Sequence, residues 1–157
     1  MSKRSAEHGS FSIERNFAAP PTLVFKAWAD PAMKANWFVG PPGWEAGERR
    51  LDFRIGGREH LSGGPKGGNP HVFDALYFDI VPNERIVYGY DMHVGETRIS
   101  VSLATVEFAP AGQGTRMVFT EQAVFLDGYD GLAAREQGTQ QLMNQLDAAL
   151  QRVGAAA

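Results

Sequence analysis

Glu121 is the residue from which chemistry could start. It follows Met117 and Phe119 at two-residue spacing, so on a strand its carboxylate points with them toward an apolar face. Left charged and unpaired there, it would cost several kcal/mol or lift its own pKa. Two roles fit: an ion pair with Arg15, Arg54 or Arg135, which is the simpler reading, or a ligand-binding or acid/base role. Arg15 poses the complementary question, because it interrupts the alternation of Phe11, Ile13 and Phe17. A guanidinium in that place either pairs at a sheet edge or receives a ligand carboxylate. Tyr88 and Tyr90 share one strand face and Tyr77 stands on another strand, and each hydroxyl needs a partner if buried. Trp28 reads as core, whereas Trp37 and Trp44 flank an irregular stretch and are expected at a cavity mouth.

Other groups carry less. His60 and His71 bracket a glycine-rich stretch but lack a third ligand at a settled spacing, so no metal is expected. His93 beside Asp91 reads as a surface pair near a turn. The run Gly63-Gly64-Pro65-Lys66-Gly67-Gly68 lacks the strand-to-helix setting and the terminal Lys-Ser/Thr of a phosphate loop, and reads as a hairpin loop. The chain has no cysteine, no G-x-S-x-G elbow, no HExxH and no carboxylate pair at catalytic spacing. No catalytic residue and no cofactor is therefore assigned, and an enzyme is not the favoured reading.

The element that must position these groups is the last one, Asp130 to Val153. Leu132, Thr139, Leu142, Met143, Leu146, Leu150 and Val153 fall on one helical stripe, with Gln137, Gln141, Asn144, Gln145 and Arg152 opposite. Asp130 suits the N-cap and Gly154 a left-handed C-cap. The C-terminal half of the stripe is wholly apolar, but Arg135 and Glu136 flank its N-terminal half and Thr139 lies near its centre. Such a helix suits one wall of a ligand cavity. Gly138, in mid-helix, is expected to mark a close approach to the sheet or to a ligand.

Before it, period-2 alternation predicts a strand over 11–17, then a short helix over 22–28 and a second from Asp30-Pro31 to about Trp37. Phe38 to Gly47 and the run at 62–70 read as irregular. Strands follow near 48–55, 58–61, 71–81, 86–92, 98–108 and 115–125. The strand at 71–81 is apolar on both faces, and the phase at 98–108 slips from Ile99, Val101 and Leu103 to Val106 and Phe108, as at a β-bulge. About six to seven strands joined by short turns make a curved antiparallel sheet of the α+β class around the long helix.

At 157 residues with 43% hydrophobic content, the chain is expected to be a disordered tail over 1–10 and one domain over 11–157. A net charge of −3 with no basic run argues against nucleic acid, and no membrane-length segment is visible. The absence of cysteine and of a signal peptide fits the cytoplasm.

The ordered set Arg15 with Ala19-Pro20, Asp30-Pro31 through Trp37, Asp52-x-Arg54-x-Gly56-Gly57, Pro82-x-Glu84-Arg85, Gly114-Thr115-Arg116 and Thr120-Glu121-Gln122, followed by the final helix, resembles the START-like (SRPBCC) superfamily. More narrowly, it resembles the branch named after the activator of the ninety-kilodalton heat-shock chaperone ATPase. The resemblance implies a helix-grip fold with a cavity between sheet and helix that takes lipids, aromatics or polyketides in relatives. It also leaves two other roles open, polypeptide binding as by a chaperone activator and cyclase- or aromatase-like catalysis. The function expected is binding of a small hydrophobic or aromatic molecule by Trp37, Trp44, Tyr88, Tyr90, Met92, Phe119, Glu121, Arg135, Thr139 and Met143. A homodimer and a chaperone partner both stay open.

Overall fold

One antiparallel sheet organises the chain, with three helices on its inner face. The computed structural model describes residues 4–129 and 131–156. The elements run β1 (Ala6–Phe17), α1 (Pro21–Ala29), α2 (Pro31–Lys34), β2 (Trp44–Leu51), β3 (Arg58–Pro65), β4 (His71–Val81), β5 (Arg85–Val94), β6 (Thr97–Ala111), β7 (Gly114–Leu126) and α3 (Leu132–Ala156). The strand order is β1-β7-β6-β5-β4-β3-β2. Consecutive strands from β2 to β7 are therefore neighbours, and β1 adds at the far edge, against β7. This is the curved α+β sheet with a long C-terminal helix that the periodicity implies. The inner face carries Phe11, Ile13, Tyr77, Ile86, Val106 and Met117, all buried, beneath Trp28 and Leu146.

Pro20-Pro21 stops β1 and starts α1, since proline fixes φ and its missing N–H is unneeded in a first helical turn. Asp30 then caps α2 by accepting from the Met33 N–H at 2.9 Å. This helix closes after one turn, shorter than expected, and the chain continues in turns to Trp37.

Several expectations are corrected. Pairing begins at Ala6 opposite Leu126, so residues 6–10, read as tail, belong to the sheet. Trp44 opens β2 instead of lying in an irregular stretch, and β2 ends at Leu51, leaving Ile55 in a turn and 59% exposed. Ser62 to Pro65 extend β3. Glycine permits this: a Cβ at Gly63 would sit 2.9 Å from the Glu45 carbonyl oxygen, and one at Gly64 2.7 Å from that of Asn69. The strand at 71–81 is covered on one side only: Phe78 continues the outward series of Asp74 and Leu76 and is 55% exposed, and the bulge between Tyr77 and Asp79 brings Ile80 back against the core. In β6 the bulge exists but lies earlier than the apolar pattern suggests. Met92 pairs with Ser100 and His93 with Arg98, so Ile99 is the extra residue. Ser100, Ser102 and Ala104 therefore face inward, and Val101 and Leu103 face out.

On α3 the buried stripe is Thr139, Met143, Leu146, Ala149 and Leu150, while Val153 is exposed. Gln145, expected on the solvent side, donates to the Trp37 carbonyl oxygen at 2.6 Å. The helix runs through Gly154 to Ala156, so that glycine is no C-cap, and the Asp130 cap lies outside the described residues. Gly138 is exposed, and a Cβ there would meet nothing within 4 Å, so it makes no close approach to the sheet. Gly138→Ala is accordingly expected to stabilise the protein by about 1 kcal/mol, the propensity difference alone, read as a rise in the urea midpoint at unchanged slope.

Candidate functional site

The N-terminal half of α3 lays Arg135 over the inner ends of β5, β6 and β7. Glu121, 1% exposed, is aimed there by the alternation of β7. Its Oε2 accepts from the Tyr90 hydroxyl at 2.7 Å, from Ser102 Oγ at 2.8 Å and from Arg135 Nη1 at 3.2 Å. Arg135 Nη1 also donates to the Tyr90 oxygen at 2.9 Å, and Nη2 donates to Ser100 Oγ at 2.7 Å. Its guanidinium carbon lies 5.3 Å from the Phe125 ring centroid and 5.7 Å from that of Tyr90, a cation–π setting. The Arg135 side chain keeps 11% exposure, so this ionic cluster reaches solvent on the Arg135 side. Burial, and then the Glu121 charge, raise the Tyr90 hydroxyl above its usual 10.0, so Tyr90 remains a donor at neutral pH.

A second buried cluster lies further along the same face. Lys34 Nζ donates to Glu59 Oε1 at 2.7 Å and to the Tyr77 oxygen at 3.3 Å, and Tyr77 donates to the same Glu59 oxygen at 2.6 Å. All three are at most 3% exposed. Burial lowers the Lys34 pKa, against the pull of Glu59. Between the clusters runs a row of rings, Tyr77 to Tyr88 at 5.6 Å and Tyr88 to Tyr90 at 6.1 Å between centroids. Tyr88 is buried. Burial first, then Tyr90, Glu121 and Glu59, raise its pKa well above 10.0.

Of the residues expected at the site, Tyr90, Glu121 and Arg135 meet directly. Thr139 is one turn from Arg135 and donates to its carbonyl oxygen at 2.9 Å. Met92 pairs with Ser100 on the neighbouring strand, and Tyr88 lies beside Tyr90. Phe119 and Met143 are core neighbours, Phe119 stacking on Phe11 and Trp28. Trp37 is fully buried and donates to the Ala27 carbonyl oxygen, so it does not stand at a mouth. Trp44 packs on His71 at 4.5 Å near the β2 edge. Arg15 does not reach Glu121; it ties β1 to α3 through the Asn144 and Gln140 side chains at 2.9 and 2.6 Å.

His60 pairs with Asp74 at 2.6 Å, not with His71. Ser100 and Ser102 escaped the sequence reading because Val101 and Leu103 seemed to own the inner face. Their phase with Val106 and Phe108 was the available signal. For Glu59 the signal was its two-residue spacing from Leu61; for Lys34 there was none. Two concavities, of about 470 and 420 Å³, lie mainly on the outer face, along Arg58, Asp74 and Asp91.

The family described as activator of Hsp90 ATPase homolog 1-like protein matches residues 18–151. The chain belongs to that family. No curated protein matches it. Among solved structures, it is 50% identical to an uncharacterised protein from Rhizobium leguminosarum, over 96% of this chain and 99% of that one, with a TM-score of 0.91. Protein Mll3558 from Rhizobium loti is 43% identical over 92% and 99% of the two chains, with a TM-score of 0.86. Protein CV1439 from Chromobacterium violaceum is 26% identical over 88% and 94%, with a TM-score of 0.73. As a member of the activator-like family, the chain has a fold that binds small ligands or polypeptides, and no helix in its described residues is long and apolar enough to cross a membrane.

Proposed function

We propose that this protein binds a small, mainly hydrophobic or aromatic molecule on the inner face of the sheet, under the N-terminal half of α3, with its polar group held at Arg135 and Tyr90. The observation that carries this is the Glu121–Arg135 pair with Tyr90, Ser100 and Ser102 around it. A buried ion pair is weak support for a fold, because apolar residues of similar volume often serve stability as well or better. Five polar side chains converging under a helix are the groups that orient a ligand. The exposed apolar surface a polypeptide partner would need lies on the opposite face, so the two readings use separate surfaces.

Native mass spectrometry of the protein purified from its own cells, with identification of any retained molecule, tests the proposal. A stoichiometric ligand, lost in Arg135→Met but kept in Gly138→Ala, is expected. An empty protein whose melting temperature responds to no member of a small-molecule panel would overturn it.

A further inference from the structure

The outer face of the sheet holds a feature that the inner site does not use. Leu76, Gly89 and Leu103 are paired across β4, β5 and β6, and Val101 pairs with Val124 of β7. Phe78, outward in step with Leu76, lies over Gly89, where an added Cβ would come within 3.0 Å of its ring. Leu76, Phe78, Leu103, Val101 and Val124 thus form one contiguous apolar patch, with Phe78 55%, Val101 43% and Leu103 39% exposed. Patches of this kind in water mark contact surfaces.

The rim says which partner fits. Toward β3 and the far end of β6 it carries Arg58 and Arg98 of one sign and Asp74 and Asp91 of the other. A strongly acidic or basic partner would find its attraction to one pair cancelled by the other. Arg98 already pairs with Asp91 at 2.9 Å within the chain, but a second copy related by a two-fold axis can set Arg58 against the Asp74 carboxylate twice over, because such an interface uses one patch twice. The half-exposed Phe78 ring borders a hollow of about 420 Å³ that it lines with Gly89 and Val101, so side chains of a second copy have a hollow to enter. The interior strands already use their backbone groups in the sheet, so the contact is made by side chains, face on face, at the roughly 10 Å spacing of packed sheets.

We propose that this outer face is a self-association surface, pairing two copies of the chain back to back with both inner sites turned away from the interface. Arg58, which has no ion partner among the described residues, then meets the half-exposed Asp74 carboxylate of the other copy.

Sedimentation velocity of the full chain from micromolar to millimolar concentration tests this. A reversible dimer is expected. Leu103→Lys and Phe78→Ser should each raise its dissociation constant at least about thirty-fold, as loss of a central contact does, with an unchanged circular dichroism spectrum. Because the chain has no cysteine, Val101→Cys supplies a lone thiol. On oxidation it should give a covalent dimer that Ser12→Cys, at the polar end of the same face, does not. A wild type that stays monomeric at millimolar concentration overturns the proposal and leaves the patch to a foreign polypeptide. A dimer indifferent to both substitutions and to the cross-link overturns it equally.

Discussion

Glu59→Leu is expected to lower the free energy of unfolding by about 3–5 kcal/mol, the cost of leaving a buried charge without its partner. The change strands the Lys34 ammonium, which is 1% exposed, among Phe38, Trp28 and Tyr77. The faces of these rings, the nearest centroid at 4.6 Å, replace only part of what a carboxylate supplies. Lys34→Met should cost a similar amount, since it strands Glu59. The double variant Lys34→Met/Glu59→Leu should recover most of the loss, because two apolar side chains of similar length fill the space without desolvating a charge. Urea unfolding followed by tryptophan fluorescence reads all three. Additive losses in the double variant would contradict the interpretation, because they would mean that each side chain acts through packing alone. Removing Glu121 should cost less, since Arg135, 11% exposed, can turn its guanidinium toward water.

The second large effect is alkaline. Tyr77, Tyr88 and Tyr90 are each held above their ordinary value of 10.0, chiefly by burial. Above pH 10 the unfolded chain releases these protons and the native protein keeps them, so the native state binds more protons and stability falls as pH rises. Each group contributes about 1.36 kcal/mol per pH unit, so the three together remove roughly 4 kcal/mol per unit while all remain protonated in the fold. A domain of about 10 kcal/mol would unfold within roughly two to three units above pH 10.

Lys34 acts with the opposite sign at lower pH. Its native pKa is lowered from 10.5 by burial, so stability rises with pH between that lowered value and 10.5, then levels. Stability should therefore peak just below the tyrosine range. Calorimetry across alkaline pH checks the curve, and Tyr90→Phe should take about a third off the falling slope. A slope unchanged in that variant would show that Tyr90 is not among the groups responsible.

The architecture was legible because its signals are local and repeated. The alternation of β5 and β7 and the 3.6-residue stripe of α3 each bury one face, and that burial sets their orientation. What escaped depends on single insertions. Ile99 moves the phase of β6 by one residue, which exchanges Ser100 and Ser102 with Val101 and Leu103 between the faces. The bulge of β4 likewise returns Ile80 to the core face. Glycine misled in the other direction: Gly63 and Gly64 looked like loop residues but let neighbouring backbone approach a strand, while Gly138, which looked structural, touches nothing. At the site, Glu121 and Arg135 could be suspected as partners because each breaks an apolar pattern. Lys34 could not, since a lysine ending a four-residue helix carries no pattern to break.

The pairing of β1 with β7 bears on how the chain is made. Ala6 meets Leu126 and Phe17 meets Thr115, so β1 waits for β7 to be made before it has a neighbour. The strands from β2 to β7 can join as successive hairpins while the polypeptide emerges, each closing a short loop. The contact between β1 and β7 closes a loop of nearly the whole length, the kind of non-local step that slows folding. Until Leu126 has left the ribosome, Phe11, Ile13 and Phe17 stay in water. A chaperone that shields short apolar segments of nascent chains would find its substrate in that early strand during synthesis, and would lose it once the sheet is complete.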